Sequence, residues 1–251
     1  MVRSSGFLDR SVQVWRLNVP APVALLVLLT ALASIAGAVG LRHGVPLLSH
    51  VVLEGDPIAA GEPWRLVTWV FFELDPISLL FACLALYWFG SDLCRTWGAR
   101  RFLAIYFGFT VAIALCTVLI GRYAWPEVHR VPHLGTWPIT EALVIAWAIL
   151  HPQREIRIYF VLPVGGRALI AITIGLTALY ALFSGLALFV PHFLAEGLML
   201  VYLGALRRAY LRWKLRRLER IRQRHVVDVS LGEREQDERP RSPGKPPRWI
   251  N

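Results

Sequence analysis

The sequence predicts an all-α, polytopic membrane protein: a six-span helical bundle with a long first outer loop. Three observations carry this prediction. The 251 residues are 56% hydrophobic, with a mean hydropathy of +0.51, above the roughly 45–50% apolar content of ordinary soluble domains. Charge is segregated: residues 17–41 and 102–121 carry none, and residues 168–206 carry only His192 and Glu196. Arginines collect in alternate connections. A crossing helix needs about 20 apolar residues, because each rises about 1.5 Å through a core about 30 Å thick.

The first span is expected near 18–41. It starts after Arg16 and is too long for the roughly 7–15-residue apolar core of a cleaved signal. The second is expected near 76–97, ending among Ser91, Asp92 and Arg95. The third follows near 101–123 and the fourth near 138–151. The stretch 168–206 is too long for one crossing. Ser184-Gly185 is the natural break, giving spans near 168–185 and 187–207. The loop from Arg42 to Asp75 is long for a bundle connection and should carry structure of its own. Its Trp64, Trp69, Phe71 and Phe72 suit a segment lying at the headgroup level, where aromatic rings are enriched.

Orientation follows from arginine bias. Arg3, Arg10 and Arg16 precede the first span. Arg95, Arg100 and Arg101 lie between the second and third, and Arg154, Arg157 and Arg167 between the fourth and fifth. Nine Lys/Arg fall in residues 207–224. The opposite connections are poorer in basic residues. Both termini are therefore expected in the cytoplasm, with the chain in a bacterial inner membrane. The organisation expected is a cytoplasmic segment over 1–17, a membrane domain over 18–206, a basic juxtamembrane amphipathic helix over 207–227 and a disordered tail over 228–251. Leu211, Leu215 and Leu218 recur at helical spacing among Arg207, Arg208, Arg212, Lys214, Arg216 and Arg217, a pattern that binds anionic headgroups. The net charge of +10 is thus read as membrane attraction rather than nucleic-acid binding, since no groove-reading or stacking motif accompanies it. Cys83, Cys94 and Cys116 are scattered and give neither a disulfide framework nor metal spacing. No metal or other cofactor is expected.

Three stretches, GEPWRLVTWVFF, LLFACLALYWFGSDL and GARRFLAIYFGF, resemble the rhomboid family of intramembrane serine proteases over roughly residues 55–206. In that family a Trp-Arg pair marks the first long loop, and Trp64-Arg65 stand there. The resemblance implies a six-span rhomboid-like bundle with a serine nucleophile at the start of the fourth span and a histidine base on the sixth. A histidine and an asparagine on the second span hold the oxyanion. Matching these motifs places Trp137 at the serine, within Gly135-Thr136-Trp137-Pro138. Ser78 stands at the histidine and Ala82 at the asparagine of the second span. Leu194 stands at the base. Indole is no nucleophile toward an amide, leucine takes no proton and alanine donates nothing to an oxyanion. The resemblance therefore implies a pseudoprotease that binds or escorts transmembrane client proteins without cleaving them.

Glu141, His192 and Glu196 are ionisable residues inside spans, which mark functional sites by default. Glu141 lies four residues after Trp137 and shares its helix face, so it points toward the vacated centre. His192 and Glu196 are also four apart and able to pair with each other. A simpler reading makes Glu141 a first-turn carboxylate, three residues behind Pro138. His129 and His133 read as solvent-facing loop residues, and Gly197 as a close-packing position. Three other functions stay open: an active hydrolase using Thr136 or His192, a proton-coupled transporter using Glu141 and Glu196, and a purely structural membrane component.

Overall fold

The computed structural model describes residues 11–14, 17–158, 162–205, 208 and 212. A hairpin of β1 (Ser11–Val14) and β2 (Leu17–Pro20) leads directly into α1 (Ala21–Arg42). Two short helices, α2 (Gly55–Ala59) and α3 (Arg65–Thr68), lie in the first long loop. Then follow α4 (Pro76–Trp97), α5 (Ala99–Tyr123), the short α6 (Pro126–Arg130) and α7 (Trp137–Leu150). A second hairpin, β3 (Glu155–Ile158) with β4 (Leu162–Gly165), precedes α8 (Gly166–Ser184). The last apolar helix, α9, runs Val190–Ala205. Neither hairpin was anticipated from the apolar pattern, since both are short and lie in basic connections.

Helices α1, α4, α5 and α8 are long and apolar enough to cross a membrane, while α7 and α9 are shorter apolar helices. These six are the elements the apolar runs predict, and their ends agree to within a few residues. Local chemistry explains the ends. Asp75 accepts from the backbone N–H of Ser78 at 2.6 Å and Pro76 occupies the first turn, so Asp-Pro both caps α4 and presets its first φ. Gly185, at φ 101°, ends α8 in a conformation that resists side chains. Met1–Leu203 form one unit and Gly204–Asn251 another. In the second, Arg208 and Arg212 are exposed. Arg207, Lys214, Arg216 and Arg217, most of the amphipathic stretch 207–227 and the whole tail 228–251 lie outside the described residues. So do residues 1–10.

Helix α7 is the centre of the first unit. Ten of its residues are buried, and α4, α5 and α8 all pack on it. Apart from Thr140 and Glu141 it is apolar on every face, as suits a helix enclosed by other helices. Gly166, at the start of α8, lies so close to α7 that a Cβ would stand 2.5 Å from the Ala148 carbonyl oxygen. Gly197 does not play that part, since a Cβ there meets nothing within 4 Å. Cys94 is buried, and Cys83 and Cys116 are partly so; all three are free thiols.

The first long loop departs from the interfacial reading. Trp69, Phe71 and Phe72 are buried in the core, and only Trp64 is exposed, at 49%. The reason is polar. The guanidinium of Arg65, 3% exposed, donates to the carbonyls of Ser49 at 2.5 Å and Val52 at 2.8 Å and to the Glu62 carboxylate at 2.6 Å. The Trp64 indole donates to the His50 carbonyl at 3.1 Å. These bonds fold the loop on itself and turn the following aromatic run inward. The Ser34 hydroxyl of α1 then donates to the Phe71 carbonyl at 3.3 Å and accepts from the Glu73 N–H at 2.9 Å.

Candidate functional site

The segment from Trp69 to Glu73 lies alongside the start of α7. The N–H of Gly135 donates to the Trp69 carbonyl at 3.0 Å. The Thr136 hydroxyl donates to the Val70 carbonyl at 2.7 Å, and the Thr136 N–H donates to Oε1 of Glu73 at 2.6 Å. Gly135 has φ 135°, and a Cβ there would stand 3.3 Å from that same carboxylate oxygen. The backbone conformation therefore favours glycine, and the approach of Glu73 leaves a Cβ little room.

Glu73 was not singled out from the sequence, yet it organises the helix mouth. Its Oε2 accepts from the Ser78 hydroxyl at 3.2 Å, while Oε1 caps Thr136. The free N–H groups at a helix start form an anion site, and Glu73 supplies the anion from 63 residues away. Burial pushes the Glu73 carboxyl above its ordinary value, and the bonds from the Thr136 N–H and the Ser78 hydroxyl pull it back. Glu141 does not fill this position. Helix α7 begins at Trp137 with Pro138 in the first turn, and no acidic residue lies in that turn. The first-turn reading of Glu141 is thereby corrected: its carboxylate goes to side chains instead.

Trp137 and Ser78, the residues matched to nucleophile and second-span histidine, meet directly. The Trp137 indole N–H donates to the Ser78 hydroxyl at 2.5 Å. Ser78 relays that bond to Glu73, so indole, hydroxyl and carboxylate form one chain. Both residues line a cavity of about 680 Å³. Ala82 is fully buried and Leu194 packs against the core; neither lines the cavity. The α9 residues that do are Pro191 and His192. Thr136, fully buried with its hydroxyl committed to Val70, is not placed to attack anything.

Glu141, His192 and Glu196 are brought together, but not in the pairing expected. His192 Nδ1 lies 2.8 Å from Oε2 of Glu141. The Thr177 hydroxyl of α8 donates to Oε1 of Glu196 at 3.0 Å and lies 3.4 Å from Oε1 of Glu141. His192 and Glu196 are thus joined through Glu141 and Thr177 rather than to each other. Thr177 is 3% exposed and Glu196 also 3%, while Glu141 and His192 face the cavity. Among the described residues, no group of three or more His, Cys, Asp and Glu side chains is arranged to hold a metal ion. Thr177 could not be singled out in sequence, because a lone threonine in an apolar span reads as packing.

His133 also differs from expectation. It is 4% exposed, its Nε2 lies 3.1 Å from the Val128 carbonyl oxygen, and its own carbonyl accepts from the Leu53 N–H at 3.0 Å. Burial holds its imidazole below the usual range. His133 ties the first loop to the α6–α7 connection rather than facing solvent. His129 lies 3.2 Å from the Asp56 carboxylate.

The cavity opens sideways between two helices that both pack on α7. Ile77 and Phe81 of α4 are 66% and 51% exposed, and Leu176 and Tyr180 of α8 are 49% and 60% exposed; all four line it. An apolar slot thus leads to a polar floor.

Comparison with known proteins agrees with the residue pattern. A family model described as Rhomboid domain matches residues 60–205. Rhomboid protease GluP of Bacillus subtilis (strain 168) is 36% identical over 101 residues, covering 40% of this chain and 20% of the relative. The chain therefore matches about a fifth of that relative's length. The family match runs from the first long loop to the end of α9 and takes in more than half of the chain, so this chain belongs to the rhomboid family.

Proposed function

We propose that this chain is a rhomboid-like pseudoprotease that binds membrane-embedded segments of other proteins without cleaving them. The observation that carries the reading is the state of the α7 mouth. An indole stands at the position matched to the family's serine and is bonded to Ser78. The backbone donor beside it is capped by the Glu73 carboxylate. Acyl transfer needs a nucleophile with a base in hydrogen-bond reach and free donors for the oxyanion. Here the donor is occupied by the Glu73 side chain, and Ala82 and Leu194 supply neither donor nor base. The apolar slot between α4 and α8 remains, and it suits an apolar helix entering from the lipid.

The test is direct. Purified protein in nanodiscs should not react with a fluorophosphonate probe and should leave single-span reporter proteins intact. A photo-crosslinking residue at Phe81 or Tyr180 should capture such reporters uncleaved. Probe labelling or reporter cleavage that is lost in Ser78→Ala, Thr136→Ala or His192→Ala would establish a relocated hydrolase instead.

A second reading, proton-coupled transport, is favoured by the chain Glu196–Thr177–Glu141–His192. It predicts a pH-driven flux in liposomes that Glu141→Gln abolishes. The arginine bias supports a topology with both termini in the cytoplasm, and the bacterial relative supports placement in a bacterial inner membrane. The cluster from Arg207 to Arg217 would then hold anionic headgroups on that face.

A further inference from the structure

We infer that the cavity is a receptor for one basic side chain, an ammonium or a guanidinium, carried by the membrane-embedded segment of a bound protein. The inference rests on the client-binding reading above and adds the chemistry that client must have.

The first argument is a count of charges and donors. The polar cluster holds two carboxylates, Glu141 lining the cavity and Glu196 buried behind it, against the His192 imidazole and the Thr177 hydroxyl, and Asp75 lines the cavity as well. The imidazole N–H serves one oxygen of Glu141. The single Thr177 proton is given to Glu196, which leaves Oε1 of Glu141 only a 3.4 Å neighbour whose proton is already committed. A carboxylate offers about four acceptor positions, and an unbalanced charge within a membrane is costly. Among the described residues, no Lys or Arg lines the cavity. Oε1 of Glu141 is short of a donor, and Glu141 lines the cavity.

The second argument is the wall. Trp69, Trp137, Tyr180 and Phe189 line the same space, and Phe189 stands 4.8 Å, centroid to centroid, from the His192 ring. Aromatic faces attract cations, the more so where water is excluded. The third is Trp69 itself. It is 1% exposed, and its indole N–H has no partner among the described residues. A buried donor left unpaired is unfavourable until an acceptor reaches it. The backbone or polar side chain of an inserted segment would bring one. The approach is apolar through Ile77, Phe81, Leu176 and Tyr180, so the cation must arrive on an apolar carrier rather than as a free hydrophilic ligand.

The experiment uses wild-type protein in nanodiscs and a set of labelled single-span peptides of about 22 Leu and Ala residues. They differ at one position, two turns from the outer end, which is Lys, Gln, Leu or Glu. Binding is read by energy transfer. The Lys peptide should bind about tenfold tighter than the Leu peptide, the scale of one charge-assisted hydrogen bond. The Glu peptide should bind more weakly than either, and Glu141→Gln should erase the preference for Lys. Equal binding of all four peptides to wild-type protein overturns the cation site and leaves the client reading standing. A parallel arm compares the unfolding temperature in butylammonium chloride and in potassium chloride at equal ionic strength. If no peptide binds but butylammonium protects wild-type protein and not Glu141→Gln, the cation site stands and the client reading falls. If neither effect is seen, the inference is wrong. The peptide comparison on wild-type protein is decisive even if Glu141→Gln fails to fold.

Discussion

The indole N–H of Trp137 donates to the hydroxyl of Ser78 at 2.5 Å, and Ser78 passes the bond on to Glu73. Two residues matched by motif to catalytic positions of the family are thus turned toward each other in a contact that holds α7 to α4. The first prediction concerns this contact. Trp137→Phe keeps most of the packing and removes the donor. It should cost about 1 kcal/mol, the usual net worth of one hydrogen bond, read as a lowered unfolding temperature in detergent or nanodiscs. Trp137→Ser should not generate proteolysis, because Glu73 still caps Thr136 and no base has been restored. Reporter cleavage by Trp137→Ser would refute that account of the site.

The second prediction concerns Arg65. Its buried guanidinium makes three bonds that pin the first loop. Lysine is a point charge without the planar fork and cannot reproduce them. Arg65→Lys should therefore loosen residues 42–75 and expose them to protease. Arg65→Ala should destabilise by about 1–3 kcal/mol, the cost of leaving its acceptors without their donor. Limited proteolysis of the two variants against wild type gives the order: wild type slowest, Arg65→Ala fastest.

The third prediction is a pH dependence with two opposite limbs. For His133 the folded value lies below the ordinary 6.5, so just below pH 6.5 the unfolded chain binds more protons than the folded one. Stability is then lost as pH falls below 6.5. For Glu73 the folded value lies above the ordinary 4.5. Its contribution is complete below pH 4.5 and is lost as pH rises through the folded value, because the unfolded chain ionises first. Glu73→Gln should remove the loss on the alkaline side of pH 4.5, and His133→Asn should flatten the loss below pH 6.5. Unfolding temperatures across pH 4 to 8 would separate the two limbs.

What could be read from sequence was what short-range physics determines. Uncharged runs locate α1, α5 and α8, Asp75-Pro76 starts α4, and Gly185 ends α8. The long-range polar contacts were hidden. Glu73 lies next to a span but bonds Thr136 and Ser78 on two different helices, and nothing local distinguishes that from a solvated carboxylate. Trp69 and Phe71 look alike whether a loop lies at an interface or turns inward; Arg65 decides it through carbonyls 13 and 16 residues away. Helical spacing put Glu141 on the face of Trp137, and the two line one cavity. It could not reveal that α8 would insert Thr177 between the two glutamates.

The last prediction contrasts two glycines that sequence alone treats as equivalent. At Gly166 a Cβ would meet the Ala148 carbonyl oxygen at 2.5 Å, and the obstacle is backbone of the central helix. At Gly197 a Cβ meets nothing within 4 Å. Gly166→Ala must push α8 away from α7 and should cost about 1–3 kcal/mol, as overpacking does. Gly197→Ala adds no clash and gains helix propensity of up to about 1 kcal/mol. Because α8 also carries Thr177, Gly166→Ala should disturb the polar floor of the cavity as well as stability, whereas Gly197→Ala should leave it intact. Unfolding temperature gives the first comparison. The second comes from Lys-peptide binding, which should weaken in Gly166→Ala and match wild type in Gly197→Ala.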